Sequence, residues 1–198
     1  MNHKQIKRIT VKGFFIALVA LLGLTPLGLI PLGFINITIL CIPVITGTLL
    51  MGLPTGLLLG FVFGTVSMMS MLGMSMTPPS LLAGTLLAKS PLLAILMCYV
   101  PRLLVPVVAH VMYKSLSPRM MASPIASALA SLTNTVLYLG MMWFFYTITS
   151  LDTSRVVTII LGTGLLGGSM EALAAALLVP PIVAAVRKAN LFPEGAQK

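Results

Sequence analysis

Acidic side chains are nearly missing from this chain, with three Asp and Glu among 198 residues against twelve Lys and Arg. A proton-driven pump needs a relay of carboxylates inside the membrane, and here only Glu171 lies within an apolar run. Charge of either sign is absent between Lys12 and Lys89. A hydrocarbon core of about 30 Å is crossed by about 20 apolar residues, so that gap can hold three spans. Cysteine is reduced to Cys41 and Cys98, both inside apolar stretches and without CxxC or Cys/His spacing. That excludes a disulfide framework or a zinc site and leaves two small packing residues. No metal or cofactor is implied.

What the chain has in abundance is apolar surface. Its hydrophobic fraction is 58% and its mean hydropathy +1.10, more than a soluble domain of this size can bury. The bilayer must therefore be the solvent for most of it. The formal net charge of +9 would suggest nucleic acid in a soluble protein, but the basic residues flank apolar runs, as the positive-inside rule describes. The basic stretch before the first run resembles a signal peptide, yet no small-residue cleavage site leads into a polar domain. It reads as the start of a retained helix.

Proline, glycine and charge divide the runs into six helices at about residues 11–24, 36–51, 56–74, 91–113, 122–147 and 155–186. The expected fold is an all-α integral membrane bundle of six transmembrane helices in one membrane domain. An even number of spans puts both termini on one side. Lys4, Lys7, Arg8, Lys12, Lys114, Arg119, Arg187, Lys188 and Lys198 gather there, against Lys89 and Arg155 opposite. That side is cytoplasmic by the Lys/Arg rule, which makes 25–35, 75–90 and 148–154 external loops. Gly52, Gly56, Gly60 and Gly64 recur every four residues, as do Gly164, Gly168, Ala172 and Ala176; such stripes let helix backbones approach closely in lipid. A third stripe, Ala122, Ala126 and Ala130, continues in register to Asn134 and Tyr138. One face thus changes from packing to polar recognition.

Arg102 and Glu171 are ionisable groups inside apolar helices, where a charge costs about 2.5–3.5 kcal/mol by insertion scales. Counted along their helices, Arg102 lies about 18 Å below Ser90 and Glu171 about 24 Å below Arg155, so an ion pair that fixes helix register is the simplest expectation. The run AGTLLAKS at Ala83 to Ser90 resembles a Walker A loop, but the glycines that loop needs are replaced by Ala83 and Ala88, and no strand precedes it. Lys89 is the lone charge of its loop, either solvated or a contact for an anion. Ser169 and His110 do not form a hydrolytic arrangement, and His110 reads as an interfacial residue.

Four stretches carry a family resemblance: IPLGFINITILCIPVITGTLLMGLPTGLLLGFVFGTVSMM at Ile30 to Met69, SPLLAILMCYVPRLLVPVVAHVMYK at Ser90 to Lys114, LTNTVLY at Leu132 to Tyr138, and EALAAALLVPPIV at Glu171 to Val183. In order and spacing they resemble the substrate-binding S components of energy-coupling factor (ECF) vitamin transporters. The first stretch is similar to the pantothenate-type branch. The resemblance implies a multi-pass protein of a bacterial cell membrane that binds a vitamin under its external loops. It also implies docking onto a transmembrane coupling subunit that carries two ATPases. Carried over residue by residue, it places the pocket at Asn36, Lys89, Asn134 and Tyr138, with Lys89 as the point charge for a carboxylate. The small face of helix 1, Gly13, Ala17 and Ala20, departs from a clean AxxxA but matches the place of the docking motif. Folate, cobalamin and queuosine-type substrates stay open, as does a non-transporting structural membrane subunit of similar hydrophobic profile.

No complete nucleotide-binding motif is present, so the purified chain in lipid is expected to release no phosphate from ATP above a lipid blank. Robust ATP-driven uptake by the chain alone in proteoliposomes would overturn this.

Overall fold

A computed structural model of the chain describes residues 3–31, 36–117 and 121–189. Arg119 and Lys198, counted above on the basic side, lie outside the described residues, as do the side chains of Lys4, Asn36 and Arg155. Along the chain stand α1 (His3–Leu24), β1 (Leu29–Pro31), β2 (Asn36–Thr38), α2 (Cys41–Met51), α3 (Leu53–Met71), α4 (Leu81–Lys89), α5 (Pro91–Leu116), α6 (Ala122–Ile148) and α7 (Thr153–Ile159). A π-helical turn, Ile160–Gly164, then leads into α8 (Leu165–Lys188).

Four of these helices, α3, α5, α6 and α8, are long and apolar enough to cross a membrane. The second expected span is shorter than the periodicity suggests, because residues 36–38 pair with 29–31 as an antiparallel ribbon, Leu29 opposite Thr38 and Pro31 opposite Asn36. The Thr38 hydroxyl then accepts the Leu40 N–H at 3.2 Å, turning the chain into α2. Eleven residues rise only about 16 Å, and ten of those in α2 are buried. A helix apolar all round belongs at the centre of a bundle, and α2 packs against α1, α3, α5, α6 and α8.

Two expected loops also hold structure. Within the expected 75–90 loop, Leu81–Lys89 is helical, with the Ser80 side chain accepting from the Ala83 N–H at its start. The sixth expected helix begins at Thr153, capped by Asp152, and carries the π turn before α8. The long helix α8 buries only a narrow line that includes Gly167, Gly168, Ala175, Val179 and Val183. Its leucines at 165, 166, 173, 177 and 178 are exposed, as a helix facing lipid requires.

Glycine sets the closest helix contacts. A Cβ on Gly60 would lie 2.6 Å from the Arg102 carbonyl oxygen, one on Gly64 2.7 Å from the Tyr99 ring, and one on Gly56 2.8 Å from Pro106. The first glycine stripe therefore seats α3 on α5, turn by turn. On the other side of the bundle, a Cβ on Gly164 would lie 2.6 Å from Leu139 and one on Gly168 2.7 Å from Thr135, which brings α8 onto α6. Gly52 serves the backbone instead, because its φ of +86° is open to few other residues and lets the chain reverse between α2 and α3.

Replacing Gly60 with Ala should cost about 1–3 kcal/mol, because the new methyl meets backbone that cannot step aside. The same change at Gly84, which has nothing within 4 Å of its Cβ position, should be neutral or stabilise by up to about 1 kcal/mol. Thermal unfolding of the two variants in detergent checks the contrast, and equal losses would show that backbone approach is not the cause.

Candidate functional site

A cavity of about 70 Å³ lies where α3, α5, α6 and α8 converge beneath α4. One wall is polar. Arg102 comes from α5, Asn134, Thr135 and Tyr138 from α6, and Glu171 from α8, while Thr38 closes the site from β2. Ser70 and Met71 of α3 and Ser80 and Ala83 at the start of α4 complete its upper rim.

The local sequence of α5 explains how a guanidinium is kept here. Pro101 has no N–H, so the carbonyl of Met97, four residues earlier, loses its helical donor. Arg102 donates from Nη1 to that carbonyl at 2.8 Å. Its guanidinium carbon stands 4.6 Å from the centre of the Tyr138 ring and 5.3 Å from that of Phe63, cation–π contacts that favour the charged group. The side chain is 7% exposed, and Nε is buried with no hydrogen-bond partner.

Glu171 is held differently. Its Oε1 accepts the backbone N–H of Thr38 at 2.6 Å and its Oε2 accepts the Thr135 hydroxyl at 3.0 Å. The carboxylate thus ties the ribbon and α6 to α8. Arg102 and Glu171 do not form the direct ion pair expected from their depths, since each is anchored to other groups. Depth counting gives the height of each residue and not its direction around the helix.

Of the expected pocket residues, the structure brings Asn134 and Tyr138 into this cavity beside Arg102 and Glu171. Asn134 is 3% exposed, and its Oδ1 has no hydrogen-bond partner. Lys89 is not with them: it is exposed on the last turn of α4 and is absent from the cavity wall. The Asn36 side chain lies outside the described residues, although its backbone opens β2, two residues from Thr38. On α1, Gly13 and Ala17 are exposed and Ala20 is half-buried. Thr38 and Thr135 escape a reading of the sequence alone; Thr135 adjoins Asn134 inside an apolar run, which is the available signal. Among the described residues, no group of three or more His, Cys, Asp and Glu could hold a metal ion.

The roof is fastened from α6. Tyr146 donates its hydroxyl to the Leu82 carbonyl at 2.6 Å and meets the Thr85 hydroxyl, both on α4. Ser75 links Ser70 at 3.1 Å to the Thr77 carbonyl at 3.0 Å, holding the turn that precedes α4.

A family model described as ECF transporter, substrate-specific component matches residues 7–183. No curated protein matches the chain.

Tyr146→Phe removes the roof's link to α6 while keeping the ring. It should loosen α4 by about 0.5–1.5 kcal/mol, seen as faster hydrogen exchange in residues 81–89 with α5 unchanged. Uniform acceleration across the bundle would mean that the hydroxyl supports the whole fold instead.

Proposed function

The chain belongs to the ECF transporter substrate-specific component family, and on that premise we propose that it captures a vitamin for import, with pantothenate as the leading substrate. As a member of that family it is a substrate-binding membrane subunit and not an ATPase. The cavity under α4 is the proposed binding site. One observation carries the assignment: the same small space is lined by a buried guanidinium and a buried amide, and each keeps a polar atom without a partner. Buried polar atoms are nearly always paired, so groups in this state suit a ligand that completes them. Asn134 and Tyr138 are the proposed contacts on α6, with Asn36 adjoining from the ribbon. Lys89 stands outside the lining, so the proposed site centres on Arg102, Asn134, Tyr138 and Glu171.

Energy would come from two ATPases on a separate transmembrane coupling subunit. The exposed small face of α1 at Gly13 and Ala17, continued by Ala20, is the proposed docking surface, since small residues allow close helix approach in lipid. We place both termini in the cytoplasm of a bacterial cell. Support comes from Arg187, which donates to the Tyr113 hydroxyl at 2.8 Å and to the Leu49 carbonyl at 3.2 Å. These bonds gather the ends of α2, α5 and α8 where Lys114 and Lys188 also lie, the cationic side of the positive-inside rule.

Mass spectrometry of small molecules that co-purify with the chain is the direct test, with a vitamin as the expected finding. Asn134→Ala should weaken its binding by about 1–3 kcal/mol with the fold intact. A protein that retains no vitamin and binds none on addition would overturn the assignment, as would an Asn134→Ala variant that loses stability alone.

A further inference from the structure

Resting on the binding-site reading above, we infer that the ligand is bipolar, with an oxyanion bound by Arg102 and hydrogen-bond donors bound by Glu171. Arginine carries five N–H donors in a planar fork. Here Nη1 is engaged by the Met97 carbonyl, while Tyr138 and Phe63 cover the guanidinium at 4.6 and 5.3 Å. Ring faces over the guanidinium carbon take up none of its hydrogen-bond donors, so the donors that remain can serve a carboxylate or phosphate. The Nε atom, buried and unpartnered on a residue lining the cavity, is one of the donors left over. Desolvated charged donors are best matched by an ionised acceptor.

Glu171 sets the opposite demand. A carboxylate has about four lone-pair sites, and the bonds from Thr38 and Thr135 take one on each oxygen. The remaining sites accept hydrogens and donate none. Asn134, with its Oδ1 unpaired in the same wall, can add a further acceptor. Because the two charged groups share one cavity without bonding each other, a purely cationic ligand drawn to Glu171 would be repelled by Arg102. A purely anionic ligand without donors would be repelled by Glu171 in the same way. A molecule with a carboxylate at one end and hydroxyl, amide or ammonium hydrogens at the other satisfies both. The anion contact that the sequence suggests for Lys89 thus falls to Arg102.

The test uses the full chain in lipid nanodiscs with two probes, pantothenate and panthenol, in which an alcohol replaces the carboxylate and the other hydroxyl and amide groups are kept. Pantothenate should bind about tenfold or more tightly than panthenol, by titration calorimetry. Arg102→Gln should shrink that ratio to within about twofold, Arg102→Lys should restore part of it, and Glu171→Gln should weaken both probes alike. If the Arg102 variants do not fold, the comparison of probes on the unaltered chain decides by itself. Panthenol binding as tightly as pantothenate would overturn the inference, as would a preference that survives Arg102→Gln. The co-purified molecule separates this inference from the reading beneath it. A carboxylate-bearing vitamin with donor groups supports both. A cationic or uncharged vitamin overturns the bipolar assignment and leaves import standing, while a chain that captures no small molecule overturns both.

Discussion

The site depends on one hydrogen bond, from the Arg102 guanidinium to the Met97 carbonyl at 2.8 Å. A carbonyl without a donor is costly in hydrocarbon, and so is a guanidinium without an acceptor. Pro101 creates the first problem, and the next residue in sequence answers both. Pro106 repeats the omission one turn later, because it offers no N–H to the Arg102 carbonyl. That carbonyl faces the bare Cα of Gly60. The backbone of α5 around Arg102 is therefore shaped by two prolines, and α3 can follow it closely only because its facing residues are glycines.

A second constraint fixes the opposite wall. Glu171 accepts one bond from the ribbon and one from α6, so α8 is located by a half-buried carboxylate as well as by packing. Gly164 and Gly168 make this geometry attainable, because any side chain there would push α8 away from Leu139 and Thr135. The π turn at Ile160–Gly164 interrupts the helix just before this contact. Such turns often accompany functional sites, and this one contributes Gly164 to the cavity wall.

Burial is shared unevenly among the helices. The short helix α2 is enclosed by its neighbours and fills the core with Val44, Ile45 and Leu49, whereas α8 turns a row of leucines outward. In a bilayer this is a sensible division, since lipid solvates a leucine face at little cost and leaves close packing to small residues. The roof helix α4 belongs to another cluster, with Leu82 and Leu86 packed among residues of α5, α6 and α7. Its polar ties to α6 through Tyr146 are few enough to be separable from the bundle below.

The sequence by itself determined that the chain is a helical membrane protein and where α3, α5 and α6 run, because long apolar stretches punctuated by proline and glycine leave few alternatives. It also marked Arg102, Asn134, Tyr138 and Glu171, since polar groups stand out in apolar runs. Only the tertiary structure decided what those groups do. Sequence spacing measures height along a helix and not direction across the bundle, so the depth match of Arg102 and Glu171 suggests a pair where two separate anchors exist. Lys89 draws attention as the lone charge of its loop, but α4 turns it outward and away from the cavity. The start of α2 differs for a similar reason: Asn36, Ile37 and Thr38 lead directly into an apolar run, yet they pair with residues 29–31 as a ribbon and the Thr38 N–H goes to Glu171. Three-residue strands are too short to show a periodicity of their own, whereas the bond from Thr38 to Glu171 spans most of the chain and leaves no trace in local pattern.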